Sequence, residues 1–106
     1  MKRFVIQQAA SAFKECRNFK SSNIEVIVET QEGEGFTFLI VKLYLYGYYV
    51  ACNNLTIGIT AINLQNNVNV LTTKKIKDIV GVNIYYDGGI LFLNNEEVSS
   101  NEWLII

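Results

Sequence analysis

Histidine is absent from this chain of 106 residues. That removes the commonest general base, the commonest neutral metal ligand and the usual activator of a serine or cysteine nucleophile. Hydrolysis by a triad is therefore not expected. Cys16 and Cys52 stand far apart, with no CxxC pair and no Cys/His cluster, so the spacing of a structural zinc site is missing. Glu29, Glu32 and Glu34 surround Gly33 and Gly35. They lack the ligand order of a calcium loop, and the two glycines do not open a helix as a nucleotide fingerprint would. A solvated hairpin tip accounts for both. Glycosidase-type chemistry would need only two carboxylates at a defined separation. Asp78, Asp87 and the Glu96-Glu97 pair all sit beside turn signals, where nothing fixes such a separation. No catalytic residue, metal or cofactor is expected, and the protein is not expected to be an enzyme.

The chemistry that remains is apolar and aromatic. Residues 36–52 form a run of strand-forming residues, read as one strand, that sorts onto two greasy faces at a period of two. Leu39, Val41, Leu43 and Leu45 fall on one face. Phe36, Phe38, Ile40, Tyr44 and Tyr46 fall on the other, with Lys42 as its only charge. The aliphatic face can line a core. The aromatic face, Phe36, Phe38, Ile40, Tyr44 and Tyr46, needs a second partner and is the candidate interaction surface.

Other elements must hold that strand. Over the first twenty residues Val5, Ile6, Ala9, Ala12, Phe13, Cys16 and Phe19 gather into one helical stripe, so an amphipathic helix is predicted there, ended by Ser21-Ser22-Asn23. It should lay Ala9, Phe13 and Cys16 on Val26, Leu39 and Val41. After residue 23 the period becomes two, and Ile24, Val26 and Val28 define a strand that enters a glycine-bearing hairpin. Pairing Val28 with Leu39, Val26 with Val41 and Ile24 with Leu43 gathers the aliphatic side chains and sets Glu25 opposite Lys42. Further turns are predicted at Asn53-Asn54, at Gln65-Asn66-Asn67 and at Asp87-Gly88, the last as the centre of a type I′ hairpin. Ile76, Ile79 and Val80 have helical spacing behind Thr72 and Thr73 as caps, so one short helix or an irregular crossing is expected there. Trp103 to Ile106 should form a last strand or buried tail.

The expected fold class is α+β, an N-terminal amphipathic helix packed on an antiparallel meander-type sheet of about five to seven strands. The alternative is a small β-barrel or a two-sheet sandwich capped by the helix. No interdomain linker interrupts the chain, so residues 1–106 should be one domain. Half the residues are apolar and 18% are charged, which suits a packed core. Lys2, Arg3 and the charges that follow do not make a signal peptide, and residues 36–52 are too short and too strand-like for a membrane helix. A cytoplasmic location with reduced cysteines and no membrane contact follows as an expectation. Residues 1–20 carry +4 and residues 21–106 carry −5. The basic groups are split between two segments of a slightly acidic chain, which does not match the footprint of a nucleic-acid binder.

The functional expectation is a small protein-interaction module, acting by binding or occlusion through its aromatic sheet face, as a homodimer or on another protein. Its Asn-rich, proline-free composition fits the accessory proteins of phages and mobile elements, including inhibitors of host defence proteins. The alternative is a small-ligand-binding or catalytic α+β module with a tyrosine-lined pocket.

Overall fold

A computed structural model describes residues 2–64, 70–99 and 101–106. The fold is α+β: among the described residues, helices α1 (Lys2–Glu15) and α2 (Val70–Val80) accompany nine strands in two antiparallel sheets. The large sheet is a meander of β1 (Phe19–Ser21), β2 (Ile24–Gly33), β3 (Phe36–Leu45), β4 (Tyr48–Asn54) and β5 (Ile59–Ile62), with β9 (Leu104–Ile105) beside β5. The small sheet is β6 (Ile84–Asp87), β7 (Ile90–Leu93) and β8 (Glu96–Glu97). The large sheet stays open, with β1 and β9 at its edges.

Helix α1 is shorter than its apolar stripe predicts. Cys16 adopts a positive φ of 60°, and the Arg17 N–H donates to the Ala12 carbonyl at 2.9 Å, the closure of a Schellman cap. The chain thus turns before Phe19, which pairs with Val26 in β1 instead of extending the helix. Helix α2 ends on Gly81, at φ 82°, whose N–H donates to the Lys77 carbonyl at 2.9 Å. Thr72 and Thr73 are buried within α2 and do not cap it.

Residues 36–52 are two strands, not one. Tyr46 and Gly47 both take positive φ, 53° and 82°, between the paired residues Leu45 and Tyr48, the signature of a type I′ turn. Similar turns stand at Gly88-Gly89 and Asn94-Asn95. The first lies one residue beyond the predicted Asp87-Gly88 centre, because two glycines accept positive φ more readily than an aspartate and a glycine. Asn53 and Asn54 continue β4, and the reversal comes after them. The predicted turn at Gln65-Asn66-Asn67 lies outside the described residues.

The β2–β3 hairpin keeps the predicted faces but slides by two residues. Val28 pairs with Val41, Val26 with Leu43 and Ile24 with Leu45, while Glu25 stands opposite Tyr44 instead of Lys42. A slide of two preserves inside and outside, so the aliphatic sorting could not tell the registers apart. The turn decides: Gly35 at φ 82° lets Glu34-Gly35 close the hairpin between Gly33 and Phe36.

The core lies where the helices meet the large sheet. Ala9, Ala12 and Phe13 of α1 and Ile76 and Ile79 of α2 cluster with Val26, Val41, Leu43, Leu45, Val50, Ala51 and Ile62 of the sheet. Ile84, Leu91 and Leu93 of the small sheet join the same cluster, with β6 against α2. Leu39, expected in that core, is 36% exposed, since it lies towards the hairpin tip beyond the helices.

Candidate functional site

The face of the large sheet turned away from the helices carries the residues of interest. Alternation along the paired strands places Glu25, Tyr44 and Tyr49 in one row across it, and Ile27, Lys42, Cys52, Ala61 and Ile105 in the next. Glu29, Ile40, Asn54 and Ile59 form a third row. The helices contact β1 to β4, and the side chains packed with them come from the opposite face. Among the described residues no helix or second sheet packs over these rows.

The β3–β4 hairpin sets up the aromatic part, and a bulge follows it. Leu43 pairs with Ala51 but Tyr44 pairs with Tyr49, leaving Val50 as the extra residue. Val50 turns into the core at 2% exposure, and its carbonyl accepts from the Asn63 N–H at 2.9 Å. The two-residue Tyr46-Gly47 turn, which pairs Leu45 with Tyr48, brings Tyr49 opposite Tyr44, and their rings stack with centroids 5.3 Å apart. Trp103, just before β9, meets the Tyr49 ring at 4.8 Å and a 59° tilt. Tyr44 of β3, Tyr49 of β4 and Trp103 at the entry to β9 thus make a ladder of three rings.

Lys42 sits beside this ladder, its Nζ 5.1 Å from the Tyr49 ring centroid and ion-paired to Glu29. Glu29 and Lys42 are diagonal neighbours, since Glu29 pairs with Ile40 and Ile27 with Lys42. The hydrogen bond from Lys42 holds the Glu29 carboxyl below its ordinary pKa, and the same bond pushes the Lys42 ammonium above its own. Burial pushes the Tyr49 phenol well above the usual tyrosine range, with a further upward contribution from its hydrogen bond with Cys52. At neutral pH these groups are a locked ion pair and a neutral phenol.

Four of the five predicted surface residues share this face. Phe36 is 54% exposed and meets Phe38 edge-to-face at 4.7 Å. The Phe38 ring lies over Gly33, where a Cβ would come within 2.6 Å of it. Ile40 is buried among its cross-strand neighbours, and Tyr44 begins the ladder. Tyr46 does not belong here. It occupies the β3–β4 turn beside α2, where its hydroxyl accepts from Lys75 Nζ at 2.8 Å and its ring lies 5.2 Å from that ammonium. The periodicity missed Tyr49 because the two-residue turn at Tyr46-Gly47 reverses the alternation read through it, and missed Trp103 because it arrives from the far end of the chain.

Two open grooves lie elsewhere. One of about 320 Å³ is bordered by Phe4, Gln8, Arg17 and Phe19, the other of about 610 Å³ by Ser11, Lys14, Asn53, Thr60 and Asp78; neither contains a tyrosine. Both cysteines are free thiols. Among the described residues no group of three or more Cys, Asp or Glu side chains is placed to hold a metal ion, and no helix is long and apolar enough to cross a membrane. Comparison with protein-family models, curated proteins and solved structures finds no match for this chain.

Proposed function

We propose that this protein is a small interaction module that works by binding, its outer sheet face docking on a protein surface. One observation carries this: the Tyr44–Tyr49–Trp103 ladder and the Phe36–Phe38 pair stand on a face that no element of the described chain covers. Trp103 and Ile105, 42% and 70% exposed, extend the apolar rows to the sheet edge. Aromatic side chains suit interfaces because they bury a large area for few frozen torsions and keep a polar tip for pairing. The partner is either a second copy, forming a homodimer, or another protein whose site is occluded, as for an accessory protein of a phage or mobile element that inhibits a host protein. A cytoplasmic setting accompanies this assignment, in keeping with two free thiols.

Sedimentation of the wild type and of a Phe38→Glu/Tyr44→Glu variant tests it. The wild type should form dimers, or bind a protein recovered from the native host, and the variant should remain folded but monomeric and non-binding. A wild-type monomer without a partner, whose double variant unfolds, would mean that this face serves only the fold.

A further inference from the structure

We propose that the open edge of β2 is a docking site for an extended basic peptide segment, taken up as an added strand of the large sheet. Strand β1 covers β2 only from Ile24 to Val26, whereas β2 runs on to Gly33. The Val28 N–H is directed towards the β1 side, where it donates to Asn18 Oδ1 at 2.8 Å. Alternation along an antiparallel strand then turns the N–H and C=O groups of Thr30 and Glu32 to the same side. Among the described residues no strand pairs with β2 on that side beyond Val26. Thr30, Gln31 and Glu32 are all exposed.

The neighbouring strand shows the contrast. Beyond Ile40, where β4 stops, the Leu39 N–H donates to Thr56 Oγ1 at 2.8 Å and that hydroxyl donates to the Thr37 carbonyl at 3.4 Å. The Leu55 N–H meets the Leu39 carbonyl at 2.9 Å. The β4–β5 turn thus plugs the free side of β3, and among the described residues only Asn18 does as much for β2. An unplugged edge offers main-chain groups in the spacing that strand addition uses.

Charge selects the partner. Glu25 stands opposite Lys20 and Glu29 is ion-paired to Lys42, so the charges at the uncovered end of β2 are Glu32 and Glu34, with no basic residue between Lys20 and Lys42. Pairing β2 with β2 of a second copy would crowd these acids together, which disfavours self-association through this edge. A strand bearing lysine or arginine gains from the same field. The site works through backbone groups at the opposite edge from Trp103, so it stands whether or not the aromatic face binds a partner.

The test uses a short peptide of alternating lysine and valine, an alternating glutamate and valine control, and amide exchange read residue by residue by NMR. The lysine peptide should protect the Thr30 and Glu32 amides, bind more weakly as salt rises, and outbind the control. Thr30→Pro removes one edge-facing N–H while sparing the β2–β3 ladder, a position where an edge strand tolerates proline. It should weaken peptide binding at least about tenfold with its fold intact. Trp103→Ala should bind the peptide as the wild type does. Unchanged exchange at Thr30 and Glu32, or full binding by a folded Thr30→Pro variant, would reduce the contact to diffuse charge attraction and overturn the proposal. Protection of those amides by self-association without peptide would overturn it too, in favour of a second copy.

Discussion

Phe13 is 5% exposed and belongs to the cluster that joins α1 to Val26, Val41 and Leu43. Truncation to alanine leaves a cavity as well as lost burial, so Phe13→Ala should cost about 3–5 kcal/mol. Chemical denaturation would show it, and a loss below about 1 kcal/mol would make α1 a peripheral arm. On the other face, titration shapes stability. Glu29 has a lowered pKa in the fold, so its contribution is present above its ordinary value of 4.5 and is lost as pH falls below that. Lys42 and Tyr49 have raised values, so theirs are present below about pH 10 and fade as pH rises through the ordinary values of 10.5 and 10.0. Urea midpoints measured against pH should therefore fall at both extremes. Tyr49→Phe should flatten the alkaline side, and Lys42→Met should reduce the acid loss.

Tyrosine is a poor choice for the first place of a type I′ turn, where its Cβ meets the backbone at positive φ. Tyr46→Asn should therefore stabilise the β3–β4 hairpin by up to about 1 kcal/mol despite losing the Lys75 bond, as a rise in the denaturation midpoint would show. Gly47→Ala should do the reverse. This turn also explains what residues 36–52 conceal. The alternation of apolar residues runs unbroken through Tyr46-Gly47, so hydrophobic pattern alone reads one long strand where backbone conformation makes two. The same division recurs in the helix. The Ala9–Phe13 stripe was legible from spacing, but its end at Glu15 rests on Cys16 taking a left-handed conformation that its side chain does not advertise. Faces follow from side-chain chemistry; register follows from turns, which is why the valines lie inside as read while Lys42 finds Glu29 and not Glu25. Most of the candidate surface was visible for that reason. Phe36, Phe38, Ile40 and Tyr44 share a strand, whereas Tyr49 lies beyond a turn that the apolar pattern hides and Trp103 comes from the far end of the chain.

Across the whole molecule, the first five strands each pair with their sequence neighbour, and β9 alone must travel to its place beside β5. It is two residues long, held through Ala61, Ile62 and the Ile106 N–H bond to Thr60. So short an edge strand should open locally well before the core does. The protein's one tryptophan lies directly before it, against Tyr49. Its fluorescence is therefore a gauge of the sheet's last edge and not of the fold as a whole: in a urea titration the emission change should come at lower denaturant than the loss of circular dichroism. An observer following light alone would record the chain as unfolding while its core was still intact.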